Sequence, residues 1–415
     1  MSSSTEPWVA DPETYWGGLD TAVRAADLDA PVLALDAAAL DHNVADLVRR
    51  AQGRPIRLAT KSLRVRSIIA DLVSRPGFAG VLAFDLDEAR WLATESGITD
   101  VLMGYPTVKR AAIAALLADE LACSRVTLLV DSLDHLDLID AIATSGTRPR
   151  VRIAIDLDAS LRLFGGRVHI GVRRSPVHDR GAALELGRAI VARAGFDLVG
   201  VMSYEAQVAG VGDDVAGRRL TNQAIRTMQR ASMSEIRRRR GAVIAQLREI
   251  ADLEVVNAGG TGSVEETARD ASITDIAAGS GIFGGHLFDT YRRFRPAPAL
   301  GFGLDVVRIP APGMVTCMGG GWIASGPPGP DRLPLPVWPP DLRYVGTEAA
   351  GEVQTPLHGA STDHPLRVGD RVWFRHTKSG EVCERSAQVA VVVRDDGARV
   401  DEVVPTYRGE GKCFL

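Results

Sequence analysis

From about residue 31 to residue 290 the sequence repeats one unit, a short and almost wholly apolar run followed by a stretch of helical periodicity. The runs are PVLALD (31–36), IRLATK (56–61), GVLAFD (80–85), DVLMGYP (100–106), RVTLLVD (125–131), RPRVRIAIDLD (148–158), FDLVGVMSY (196–204), LEVVNAGG (253–260) and ITDIAAGS (273–280). Helical stretches such as AAALDHNVADLVRRAQ and DEARWLATES separate nearly all of them. Unbroken apolar runs mark parallel strands covered on both faces. Eight or nine βα units in succession predict an α/β fold, a (β/α)8 TIM barrel over residues 31–294, more than an open sheet. A doubly wound sheet is the alternative that periodicity leaves.

After about residue 295 the character changes. Proline and glycine become dense in GGGWIASGPPGPDRLPLPVWPP (319–340), and short alternating segments follow: LRVGDRVWFRH (366–376), VCERSAQVAVVV (382–393) and ARVDEVVPTYRG (398–409). Gly369-Asp370 and Asp396-Gly397 are reversed pairs of turn formers. This pattern predicts a C-terminal antiparallel β domain over 295–415, with residues 1–30 packing against it. A chain of 415 residues has room for both units.

The bulk numbers narrow the class. At 46% hydrophobic and 24% charged residues, composition indicates neither disorder nor a membrane span. A net charge of −4 does not favour nucleic acid as a partner. The run Arg237-Arg238-Arg239-Arg240 is the local exception, and it reads as a solvated helix face. Cysteines at 123, 317, 383 and 413 form no disulfide framework, and the N-terminal residues have no signal-peptide pattern. A cytoplasmic location is the expectation.

Lys61 closes the run IRLAT, which puts it at the end of a strand, where barrels carry their catalytic groups. A buried lysine is costly unless it is paired or made neutral, and a Schiff base with pyridoxal phosphate (PLP) makes it neutral. A surface lysine in an ion pair at the rim is the plainer reading of that residue by itself. Two late runs end in donor-rich turns, Asn257-Ala258-Gly259-Gly260-Thr261-Gly262-Ser263 and Ala278-Gly279-Ser280-Gly281. Glycines let backbone N–H groups approach a phosphate, and the hydroxyls add donors. One such turn alone reads as a tight loop. Two of them beyond an early strand-end lysine are more specific.

These features resemble the fold-type III PLP enzymes, the class of alanine racemase, D-serine dehydratase and D-threonine aldolase. The segments ATKSLRV (59–65), NAGGTGS (257–263), AGSGIFG (278–284) and FRHTKSGEVCER (374–385) look closest to a bacterial group described as amino acid deaminase/aldolase. The resemblance covers most of the chain. It implies PLP on Lys61, phosphate contacts near Gly259, Gly260, Thr261, Gly279 and Ser280 with Asn257 beside them, and a homodimer whose β domains complete each other's sites. It also implies an acidic residue and an arginine near the cofactor ring, at Asp156 and Arg162, with Arg167 as competitor.

In the D-threonine aldolase and D-serine dehydratase branch a His and a Cys or Asp of the C-terminal domain hold a metal. Here His376 and Cys383 flank a Lys-Ser-Gly turn, with Glu381 as a possible oxygen ligand, and His plus thiolate suits Zn, with Mn also possible. The family spacing is tighter than this. The plainer reading is a hairpin histidine and a half-buried cysteine.

The expected function is therefore a PLP-dependent lyase acting on D-3-hydroxy-amino acids, a retro-aldol cleavage to glycine plus aldehyde, with a metal assisting at the β-hydroxyl. Dehydration, with Lys61 as base at Cα, is the alternative. Tyr204 is expected to touch cofactor or substrate, and Glu205 and Gln207 to contact the β-hydroxyl. Racemisation needs a second base, and Tyr344 and Tyr407 are available, but neither lies in a racemase-like motif. Glu348 and Glu352 read as supporting residues near the metal or as an exposed strand pair. Outside catalysis stand a PLP carrier and a sugar- or phosphate-binding barrel.

Overall fold

Eight of the nine apolar runs close on one another in the computed structural model, which describes residue 8, residues 11–361 and residues 365–415. The exception is the first, β1 (Val32–Asp36). The barrel is built from β2 (Ile56–Ala59), β3 (Phe78–Ala83), β4 (Val101–Met103), β5 (Val126–Val130), β6 (Val151–Asp156), β9 (Phe196–Ser203), β10 (Val255–Ala258) and β11 (Asp275–Ala278). Each neighbouring pair runs parallel, and β11 returns to β2. Between β6 and β9 the chain makes an antiparallel hairpin of β7 (Leu161–Leu163) and β8 (Val168–Ile170).

β1 belongs to the other sheet. It pairs antiparallel with β12 (Leu300–Arg308), from Val32 opposite Gly303 to Leu35 opposite Leu300, and parallel with β18 (Gln388–Val393). The barrel therefore does not begin at residue 31. A strand buried on both faces has the same apolar signature in either sheet, so the run itself could not say which it would join. Its last residue anchors both units. Asp36 caps the helix Ala37–Arg50 through Ala39 N at 2.9 Å, and it also pairs with Arg394.

The second sheet has nine strands among the described residues. Its main path runs β15 (Arg343–Tyr344), β16 (Gln354–His358), β13 (Met314–Met318), β12, β1, β18 and β19 (Arg399–Pro405). β17 (Arg371–Arg375) also pairs with β12, and β14 (Leu335–Trp338) pairs with β17. The pairings are antiparallel apart from β1 with β18.

The helix Pro12–Ala25 lies on this sheet. Asp11 caps it through Thr14 N, and Trp16, Leu19 and Val23 pack in one cluster with the fully buried Trp373. Trp373 Nε1 donates to Asp20 Oδ1 at 2.9 Å, so the indole is buried without an unanswered donor. Burying a side chain of this size contributes about 3 kcal/mol.

The arginine run in the helix Arg219–Leu247 is not a solvated face. Arg240 is fully buried between Glu205 and Asp270, Arg239 donates to the carbonyls of Asp158 and His178, and Arg237 pairs with Glu266. Three of the four side chains tie the helix to the strand-end loops.

Candidate active site

Lys61 lies in a 3-10 turn, Thr60–Ser62, directly after β2. Its Nζ donates to Tyr105 Oη at 3.0 Å. Tyr105 follows β4, so the pair comes from two strand ends with β3 between them. Burial acts to raise the Tyr105 phenol, but the Lys61 ammonium, its hydrogen bond, and Arg174 and Lys378 together bring it below its ordinary value. The Arg174 guanidinium lies 5.6 Å from the Tyr105 ring centre and 5.4 Å from that of Tyr204. Tyr204 follows β9, and its ring covers the late glycine turn: a Cβ on Gly260 would meet Tyr204 Cε2 at 3.1 Å. Burial raises the Tyr204 phenol.

The two glycine turns meet. Gly279 N, Gly281 N and Ser280 Oγ all converge on the hydroxyl of Thr261, at 3.4, 3.3 and 3.2 Å. Three donors around one hydroxyl oxygen, all at long distance, are more than that oxygen can serve well. An anion with several acceptor oxygens would satisfy them. Gly279 is required here by crowding, since a Cβ would stand 2.7 Å from Ala59 O in β2. The residues present thus fit PLP: an amine at one strand end and a surplus of donors for its phosphate at the two strand ends next in the barrel.

Other expected contacts fall elsewhere. Glu205 is fully buried, with Oε1 accepting from Arg240 and Oε2 from Gly259 N at 2.5 Å. It braces the glycine turn and has no oxygen left for substrate. Gln207 is buried and donates to Ala159 O at 2.7 Å. Asn257 is buried and donates to Asp275, which also pairs with the buried Arg57 inside the barrel. Arg162 extends from the β7–β8 hairpin and pairs with Asp158 at 2.6 Å, while Arg167 is exposed in that hairpin. Arg174 is the arginine that reaches the two mouth tyrosines. Tyr105 was legible by the rule that found Lys61, a polar side chain just past a barrel strand. Arg174 carried no such signal, because it lies in an irregular loop.

Asp156 ends β6 and is pushed up to about 7, first by burial and then by Asp131 after β5, with Arg174 opposing. Tyr344 donates to Pro334 O, and Tyr407 is buried with its hydroxyl on Glu88. Glu348 and Glu352 are exposed in the loop between β15 and β16 rather than on strands.

His376 and Cys383, the expected metal ligands, are both buried. Burial, with the charge of Arg375 adding to it, pushes His376 down to about 3, so the ring is neutral. Its Nδ1 donates to Leu300 O at 3.0 Å, and Ser379 Oγ lies 3.0 Å from Nε2, which carries no proton. Cys383 is buried in the short 3-10 turn Glu381–Arg385, and burial pushes its thiol up to about 12. Glu381 accepts from Ser325 N at 2.9 Å. Among the described residues no group of three or more His, Cys, Asp or Glu side chains is arranged to hold a metal ion. The turn instead closes on the mouth. Gly380, at φ 96°, comes so near the Lys61 carbonyl that a Cβ would overlap it at 1.9 Å, and Ser379 Oγ donates to Ser280 O at 2.8 Å.

Among the described residues no helix is long and apolar enough to cross a membrane. The family model for the alanine racemase N-terminal domain matches residues 35–286. Among solved structures, a D-threonine aldolase from Filomicrobium marinum is similar over 92% of this chain and 96% of its own, with 20% identity and a TM-score of 0.74. The D-threo-3-hydroxyaspartate dehydratase from Delftia sp. HT23 covers 91% of this chain and 97% of its own, at 19% identity and TM-score 0.65. The alanine racemase from Corynebacterium glutamicum covers 84% and 92%, at 17% identity and TM-score 0.56. No curated protein sequence matches the chain at a significant level.

Proposed function

Because the chain belongs to the alanine racemase N-terminal domain family, whose members are fold-type III PLP enzymes, we propose that it is a lyase of D-3-hydroxy-amino acids that cleaves Cα–Cβ to give glycine and an aldehyde. The observation that carries the reading is the convergence of surplus donors at Gly279, Ser280 and Gly281 beside a strand-end lysine. PLP, when bound, supplies an electron sink for negative charge at the substrate Cα. The turns at Gly260–Thr261 and Gly279–Gly281 would hold its phosphate, and Lys61 its aldehyde.

The chain's own groups have separable tasks. Tyr204 packs on the glycine turn and keeps the phosphate end from shifting. Tyr105, brought below its ordinary phenol range, is placed to exchange a proton with Lys61 Nζ. The turn 377–380 covers one side of the mouth and keeps water from the reacting carbon. Glu205 acts on none of the reacting atoms; it holds Gly259 N, and with it the donor turn, in place.

The same Lys61–Tyr105 pair favours dehydration as the second reading, since an amine with a proton partner can take the α-proton. D-threonine separates the two: cleavage gives acetaldehyde and glycine, dehydration gives 2-oxobutyrate and ammonia. We expect the first pair. Neither pair from D- or L-3-hydroxy-amino acids with PLP supplied would overturn the lyase reading. A homodimer is also proposed, supported by exposed apolar side chains at Phe164 (78%) and Leu220 (88%). Light scattering that finds only a 44.3 kDa species would remove it.

A further inference from the structure

The turn that carries Lys61 has little to hold it by itself. Thr60–Ser62 is a single 3-10 turn, closed by Leu63 N and Arg64 N on one acceptor, Thr60 O, at 2.9 and 3.1 Å. A lone turn with one shared acceptor is marginal without outside support. A lysine that hands its amine over and takes it back needs the direction of its side chain fixed at the backbone. The support for residue 61 must come from elsewhere.

Arg64 supplies it from behind. It is buried and adopts φ 56°, the left-handed region that an arginine seldom enters. Its side chain lies back over the turn: Nε donates to Lys61 O at 3.1 Å, and Nη1 pairs with Glu384 at 2.6 Å. The guanidinium lies 5.0 Å from the ring centre of Phe84, just past β3. Arg64 O accepts from Tyr407 N at 2.8 Å, and Tyr407 Oη donates to the buried Glu88 at 2.8 Å. Glu384 lies between β17 and β18 and Tyr407 just past β19, so both anchors come from the second sheet's part of the chain. Gly380, next to the turn of Glu384, abuts the same Lys61 carbonyl. A left-handed arginine kept in place by this many contacts is a conformation its surroundings impose.

Resting on Lys61 as the coenzyme lysine, we propose that Arg64 is a positioning residue. Its guanidinium bridges the Lys61 carbonyl to Glu384, so that the β domain of the same chain sets the direction in which the Lys61 amine is presented. It acts through Lys61 and not on the reacting atoms. A lysine in its place lacks the planar fork that serves a carbonyl and a carboxylate at once.

Three variants separate backbone from side chain. Arg64→Met removes the bridge and keeps the strain, Arg64→Gly removes the bridge and accepts φ 56° freely, and Arg64→Lys keeps the charge. In the PLP-loaded protein each should lower kcat about tenfold or more with KM within about twofold, because the amine is misplaced and the substrate's own contacts are not. The coenzyme-free protein gives a second reading. Amide hydrogen exchange across residues 60–64 should quicken about tenfold or more in Arg64→Met, while the barrel strands keep wild-type protection. Should Arg64→Met fail to fold, Glu384→Ala removes the far anchor and should give the same pattern at about threefold. Wild-type kcat in Arg64→Gly, a loss carried by KM alone, or unchanged exchange in Arg64→Met overturns the proposal and leaves a lyase in place. Quickened exchange in Arg64→Met, in a protein whose wild type takes up no coenzyme at residue 61, overturns the Lys61 reading and keeps the bridge.

Discussion

Two loops at the barrel mouth are built in opposite ways. The turns at Gly260–Thr261 and Gly279–Gly281 bring more donors together than their acceptors can use, with three of them sharing the Thr261 hydroxyl. The turn that carries His376 is short of donors instead: Nδ1 donates to Leu300 O, and Nε2 and Ser280 O share the single proton of Ser379 Oγ. Both follow apolar strands and both are rich in residue types that bind ligands. The difference teaches that residue type is a weaker guide than unspent hydrogen-bonding capacity. A surplus of donors is costly to maintain without a ligand, and a buried imidazole that donates to a backbone carbonyl is ordinary core packing.

The strongest way to break the comparison is at Lys61. Lys61→Ala should remove the visible absorbance of the bound coenzyme and lower kcat/KM on the order of 10⁴-fold. Borohydride reduction followed by peptide mapping should place the coenzyme on residue 61 in the wild type, and a label elsewhere would discard the cradle as drawn. Next in size is Glu205→Gln. It leaves the buried Arg240 with Asp270 alone and loosens Gly259, so it should cost about 3 kcal/mol in urea unfolding and weaken PLP affinity about tenfold.

Asp156 sharpens the picture through pH. Its native pKa of about 7 lies above the ordinary 3.8, so between those values the folded protein holds a proton the unfolded chain has released. Stability contributed by the neutral form is present below 3.8 and is lost as pH rises through about 7. Asp156→Asn should therefore gain about 2 kcal/mol on the wild type between pH 4 and pH 8, with no gain at the acid end. A pH-independent difference would show that the carboxyl is not held neutral. The smallest effect belongs to the other loop. Cys383→Ala should cost about 1 kcal/mol of packing and, like a chelator, leave turnover within about twofold. A stoichiometric zinc lost in that variant would reverse the comparison.

Much of this architecture was legible in the residues. The barrel followed from unbroken apolar runs, and Lys61 and the glycine turns from their places just past strands. Tyr105 was available to the same rule. What the chain concealed has physical causes. β1 carries a signature common to any doubly covered strand. Arg240 and Glu205 are charged residues whose burial depends on each other, and a charge run read alone looks wet. Arg174 sits in a loop without periodicity. The pairing of Arg240 with Glu205 joins residues 35 apart in the chain, which no local pattern reports.

The placement of β1 also bears on how the molecule could be dissected. A piece ending near residue 294 would carry a strand with nowhere to pair, and a piece beginning there would have an open slot between β12 and β18. Neither half is a self-sufficient module. Co-expressed, however, the two should reassemble by strand insertion, as a split protein does, and the recovered yellow colour would report it.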